Sequence, residues 1–190
     1  MILKIGHYVF KSVCKFLSES RIWEKGIEYI HINLSVIQCM QEKLYEQLFE
    51  IMDYYNLNYK YINLEITETS ANASQEILKN NMKIMIEKHI KFSLDDYGTG
   101  FSNTSSLLNY PFQIIKIDKF LIWDAIKDKK AEIILKQTIS MIKDLNMAVV
   151  AEGVETQEQM LLVKSLGCDY IQGYYYSYPL QEKDFLIFMN

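Results

Sequence analysis

The chain has 190 residues, of which 49% are hydrophobic, 13% aromatic and 23% charged, with 7 Gly and 2 Pro. That profile belongs to a folded domain and excludes collagen-like, low-complexity and disordered chains. The formal charge of −4, from 20 Lys+Arg against 24 Asp+Glu with no basic run, excludes a general attraction to polymeric nucleic acid or to an anionic membrane surface.

In chain order, segment 3–17 places Val9, Val13, Phe16 and Leu17 on one helical face. Lys4, His7, Lys11 and Lys15 interrupt it, unlike the unbroken apolar core of a signal peptide. No later stretch reaches the roughly 18–20 apolar residues of a membrane span. A cytoplasmic chain is expected. Residues 29–34 (YIHINL) read as the first strand, and Leu44, Leu48, Ile51, Met52 and Tyr55 form the next helical face. Strand-like runs follow at 61–66, 91–95, 113–117, 147–152 and 169–173, with helix-like runs at 75–88, 131–145, 156–166 and 181–188. A loop rich in Gly, Ser, Thr and Asn covers 96–111. No linker interrupts the pattern, so residues 1–190 read as one domain. Cys14, Cys39 and Cys168 are odd in number and lack C-x-x-C spacing, which points to reduced, buried thiols.

Strands alternating with helices are βα units, and apolar strands imply a parallel sheet buried on both faces. Six strands alone suit an open doubly wound sheet, because a closed (β/α)8 barrel needs eight. The polar residues point the other way. Reading each strand to its C-terminal end gives Asn33, Glu65, Asp95 with Asp96, Lys116 with Asp118, Glu152, and Gln172. An open sheet gathers its ligand groups at one switch point, whereas a ring contributed by every strand is the active face of a barrel. No strand is followed by G-x-G-x-x-G or G-x-x-x-x-G-K-[ST], which removes the usual nucleotide loops of open sheets.

Glu65, Asp95, Asp96 and Glu152 gathered at one mouth would repel unless protons or cations balanced them. All-oxygen ligands, with the Asn33 carbonyl among them, suit Mg2+ or Mn2+ and not zinc–thiolate chemistry. Asp95 and Asp96, neighbours that point different ways on a strand end, can serve two ions while one carboxylate bridges. Two ions about 3.5–4 Å apart form a clamp for in-line attack of water on a phosphoryl group. Lys116 would then orient that water or balance charge. Each residue also has a plainer reading. A strand-end carboxylate often caps the next helix, Asn33 can be a turn residue, and Asp118 can pair with Lys116. His31 reads as a core histidine, and Tyr174, Tyr175, Tyr176 and Tyr178 as packing and rim surface.

The stretches HINLS (31–35), LEITETS (64–70), SLDDYGTGFS (93–102), IIKID (114–118), VVAEGVET (149–156) and GCDYIQGYYYSYPL (167–180) together resemble the EAL family of bacterial cyclic-di-GMP phosphodiesterases. The resemblance implies a (β/α)8 TIM-barrel-like fold and hydrolysis of one phosphodiester of cyclic di-GMP to linear pGpG with Mg2+ or Mn2+. It places one metal on Asn33, Glu65 and Asp95, the second on Asp95, Asp96 and Glu152, and Lys116 on the attacking water. Glu68 would steady the loop 96–103, while Asp118, Glu155 and Gln172 would line or support the site. Family members begin with two strands and a helix that have no counterpart here, and the second strand bears the Glu-Ala-Leu whose Glu is a metal ligand. The expectation is therefore a domain short at its N-terminus by about 60 residues, the difference between 190 and the roughly 250 of a full barrel. Such a chain would have little activity alone. It could associate as a homo-oligomer through its open edge, or bind cyclic di-GMP or a protein without turnover. Tyr97, Phe101, Thr104 and Tyr178 depart from the family's usual residues, and none of them is a metal ligand.

Overall fold

The computed structural model describes residues 1–67, 75–99 and 104–189. The chain opens with helix α1 (Ile2–Ser20) and a short 3-10 turn, then enters β1 (Ile30–Asn33). Ser35, two residues after the strand ends at Asn33, caps the short helix α2 (Val36–Cys39) with a reciprocal capping box to Gln38. The following elements are α3 (Leu44–Tyr54), β2 (Ile62–Thr67), α4 (Gln75–Glu87), β3 (Lys91–Tyr97), α5 (Ser105–Asn109) and β4 (Ile114–Ile117). Then come α6 (Lys119–Lys127), α7 (Lys129–Asp144), β5 (Ala148–Ala151), α8 (Gln157–Ser165), β6 (Tyr170–Ile171) and α9 (Glu182–Phe188).

All six strands run parallel in the order β1-β2-β3-β4-β5-β6. No strand order reverses, so there is no switch point, and the winding is that of a barrel cut open between β6 and β1. Strands β2, β4 and β5 are largely buried on both faces, as their composition predicts, whereas β1 and β6 at the edges are partly exposed, and the two faces differ in kind. Register and strand alternation place Ile32, Ile62, Leu64, Ile66, Phe92, Leu94, Ile115, Ile117, Val149 and Ala151 on the outer face, all buried. They share one apolar core with Phe10, Leu48, Met52, Leu78, Met82, Ile122, Leu135, Ile139 and Val163 from the helices. The inner face carries His31, Asn33, Asn63, Glu65, Ser93, Asp95, Lys116 and Val150. Hydrophobic free energy is thus concentrated between sheet and helices, and the concave side is left to polar chemistry.

Three expectations need correction. Residues 119–127 form a helix that the apolar spacing did not reveal, because Phe120 is exposed and only Ile122 and Ala125 are buried. A short helix over Ser105–Asn109 likewise interrupts the expected loop 96–111. In α1 the buried face is Phe10, Cys14 and Leu17, whereas Val9 is exposed; the helix is apolar on more than one side, so periodicity alone could not choose between them. Cys14 and Cys39 are buried free thiols and Cys168 is a half-buried one.

Candidate active site at the strand ends

The concave face is organised around Lys116, in the middle of β4. Its Nζ lies 2.6 Å from Glu65 Oε1, 3.1 Å from Asp95 Oδ1 and 2.7 Å from Glu152 Oε1. The lysine side chain is 4% exposed, and the three carboxylates are 5%, 14% and 15% exposed. These are partly desolvated charges, for which one cation shared among three anions leaves a net negative cavity. The ionisations report that imbalance. Burial would raise the Glu65 carboxyl, but the His31 contact and the Lys116 charge hold it below its ordinary range. At Glu152 burial wins over Lys116, with repulsion from Asp95 and Glu65 added, and lifts the carboxyl to about 7. Burial, then repulsion from Asp95, raises Asp96. Burial opposes the Lys116 charge, but Glu65 and Glu152 outweigh it and raise the ammonium group.

Asp95 and Asp96 do not diverge as neighbours on a regular strand would. Pairing of β3 with β4 slips between Leu94 and Tyr97, so three steps along β3 match two along β4. Asp96 takes up the extra residue in the left-handed region, with φ 59°, a conformation Asp tolerates better than most side chains. The bulge turns both carboxylates toward β5. Ligand oxygens of Asp95, Asp96 and Glu152 lie within 4.8 Å of one another.

The other expected residues are distributed as follows. Asn33 pairs in register with Glu65, on the same face and at the open rim. Gln172 follows β6 directly. Its backbone N–H donates to Ala151 O and its carbonyl accepts from Val154 N–H, which ties β6 to the turn after β5. A Cβ on the next residue, Gly173, would collide with the Val154 backbone, so that close approach demands glycine. Gln172 and Glu155 line one cavity of about 380 Å3 with Lys119, Tyr174 and Tyr178. Asp118 caps α6, accepting from Phe120 N–H at 2.8 Å, and among the described residues no ion pair joins it to Lys116, the plainer reading of the sequence. Glu68 and Phe101 lie outside the described residues.

One site residue escaped the sequence reading. His31 is not packed in the apolar core; its Nδ1 is 2.6 Å from Glu65 Oε1. The signal was its spacing of two from Asn33, which puts both on one strand face.

The donor set fits a hard divalent cation. Every ligand atom in the Asp95, Asp96 and Glu152 cluster is a carboxylate oxygen. Asp95 Oδ1 is buried and lacks an aligned hydrogen bond, so it retains acceptor capacity.

Comparison with known proteins agrees with this architecture. The sequence matches the EAL domain family over residues 1–179. The oxygen sensor protein DosP of Escherichia coli (strain K12) is 32% identical over 183 residues, covering 96% of this chain and 23% of DosP. The probable cyclic di-GMP phosphodiesterase PdeA of the same organism is 29% identical over 171 residues, covering 90% of this chain and 23% of PdeA. The chain thus spans about a quarter of the length of these relatives. The EAL enzyme Bd1971, in a form bound to cAMP and cyclic di-GMP, superposes with a TM-score of 0.93 at 26% identity, covering 100% of this chain and 52% of that one. With the motif blocks, the strand order and the ring of carboxylates in agreement, the chain belongs to the EAL domain family.

Proposed function

We propose that this chain forms most of a divalent-cation-dependent phosphodiesterase barrel that opens cyclic di-GMP to linear pGpG. The observation that carries the reading is the convergence of Glu65, Asp95 and Glu152 on Lys116, with Asp96 brought to the same side by the bulge. PdeA, by its name, and Bd1971, by its bound ligand, support the choice of substrate. Asp95, Asp96 and Glu152 would hold one Mg2+ or Mn2+, and Asn33, Glu65 and Asp95 the other. Such ions, when bound, neutralise a phosphate and lower the pKa of a coordinated water. The chain's own residues do the rest. Lys116 places N–H donors among the carboxylates, where they orient the attacking water and offset charge that develops on phosphate oxygens. Glu155 and Gln172, with Lys119 beside them, offer polar groups along the adjoining cavity for the rest of the nucleotide. Glu68 would steady the segment that carries Asp96.

The sheet ends at β1 and β6, and the reading includes two further strands and a helix closing it from the N-terminal side in a cytoplasmic protein. One of those strands would supply an additional carboxylate to the Asn33 and Glu65 ion. The 190-residue chain alone is then a poor catalyst, able to bind cation and cyclic di-GMP without efficient turnover.

The test is chromatographic separation of cyclic di-GMP from pGpG, using a polypeptide that carries the additional N-terminal strands. Turnover should require Mg2+ or Mn2+, stop with EDTA, and fall by several orders of magnitude in Asp95→Ala and in Lys116→Ala. Undiminished turnover in Asp95→Ala would overturn the assignment.

A further inference from the structure

We propose that His31 is a positioning residue for the cation site, holding one oxygen of Glu65 so that the other is presented to the ion. The inference rests on the phosphodiesterase reading above for the role of Glu65 and on the contacts of His31 for the rest.

His31 and Asn33 stand two residues apart on β1, facing β2, where their register partners are Asn63 and Glu65. His31 Nδ1 lies 2.6 Å from Glu65 Oε1. The contact is close without being an aligned hydrogen bond, but at that separation two lone pairs would repel, so Nδ1 carries the proton. Lys116 Nζ reaches the same Oε1 from β4, also at 2.6 Å. Among the described residues both side-chain contacts of Glu65 fall on Oε1, one from β1 and one from β4. The carboxylate is therefore clamped through one oxygen, and Oε2 remains for a cation.

The imidazole is itself held. The Tyr29 ring meets it edge-on with centroids 5.2 Å apart, and the Lys91 ammonium sits 4.3 Å from the centre of the Tyr29 ring. Tyr170, from β6, packs against Tyr29 at 6.4 Å and reaches Glu28 with its hydroxyl, across the opening between the first and last strands. A ring held on this side loses its edge contact with Tyr29 if it swings away from Glu65. His31 is 29% exposed, facing a cavity of about 310 Å3 at that opening. Its place is at the site's margin and not in the apolar core. Residues that orient a metal ligand in this way typically change metal affinity by about 10–100-fold when removed.

The experiment measures Mn2+ binding to the 190-residue chain by the electron paramagnetic resonance signal of free Mn2+, with thermal melting in parallel. Asp95→Asn and Glu65→Gln define the cation site, and both should weaken binding. His31→Ala should weaken the Glu65-dependent binding by about 10–100-fold, and His31→Gln, which keeps a donor, should recover most of it. His31→Phe fills the same space beside Tyr29 without a donor. It should bind as weakly as His31→Ala, and it carries the test if the alanine variant melts below the assay temperature. Wild-type affinity in His31→Phe, or failure of His31→Gln to recover binding, overturns the positioning role. If Asp95→Asn and Glu65→Gln both bind Mn2+ like the wild type, the phosphodiesterase reading fails instead, so the two failures are distinguishable.

Discussion

A buried lysine 2.6 Å, 3.1 Å and 2.7 Å from three carboxylates is held by its neighbours as much as it holds them. Removing it leaves Glu65, Asp95 and Glu152 facing one another with only the His31 imidazole, beside Glu65, to offset them. Uncompensated buried charge of that kind costs about 3–5 kcal/mol. Lys116→Ala should therefore lower the melting temperature of the metal-free protein well beyond what loss of one surface lysine would do. Mn2+ should restore part of the difference, because it supplies the missing positive charge. Thermal melts with EDTA and with Mn2+ check both statements; equal melting of variant and wild type in EDTA would show that the carboxylates find other relief. The ring itself was legible in the sequence because each polar residue interrupts an apolar run at a strand end. His31 was not: its spacing of two from Asn33 puts it on the same strand face, but nothing in the sequence marks its contact with Glu65.

At the scale of elements, the bulge in β3 decides whether Asp95 and Asp96 act together. A regular strand would send Asp96 toward the helices, and the slip between Leu94 and Tyr97 prevents that. Asp96→Asn keeps a side chain suited to the left-handed backbone, so it should leave the fold intact while weakening Mn2+ binding. Asp96→Val brings a β-branched residue to φ 59° and should cost about 1–2 kcal/mol of stability. Denaturant melts together with a Mn2+ titration separate the two effects. The sequence marks neither the bulge nor α6. Adjacent carboxylates look alike on straight and bulged strands, and α6 offers only Ile122 and Ala125 as a buried stripe. Strand positions, by contrast, were readable to within two residues at either end for all six strands, because β-branched runs bounded by turn residues are strong signals. The last strand shrank to Tyr170–Ile171; as an edge it lacks a second neighbour to extend its ladder.

For the whole molecule, the open side between β1 and β6 is the main liability. Backbone groups at a sheet edge template pairing with other chains, and nearby apolar surface adds to the drive. On α1, Ile2, Ile5, Tyr8 and Val9 are exposed, and Ile187 and Phe188 are exposed on α9. Light scattering of the 190-residue chain should accordingly give a dimer or larger species, and a version carrying two additional N-terminal strands should shift toward monomer. A monomer that melts at high temperature would mean that the cross-opening contacts of Tyr170 with Tyr29 and Glu28 suffice to seal the edge.

The central claim is that the rim formed by β3, β4 and β5 holds a divalent cation. Diffraction from crystals grown with Mn2+, collected to locate manganese by its anomalous scattering, tests it most directly. The account predicts a peak bonded to carboxylate oxygens of Asp95, Asp96 and Glu152; manganese found only elsewhere on the protein, with that cluster empty, would contradict it.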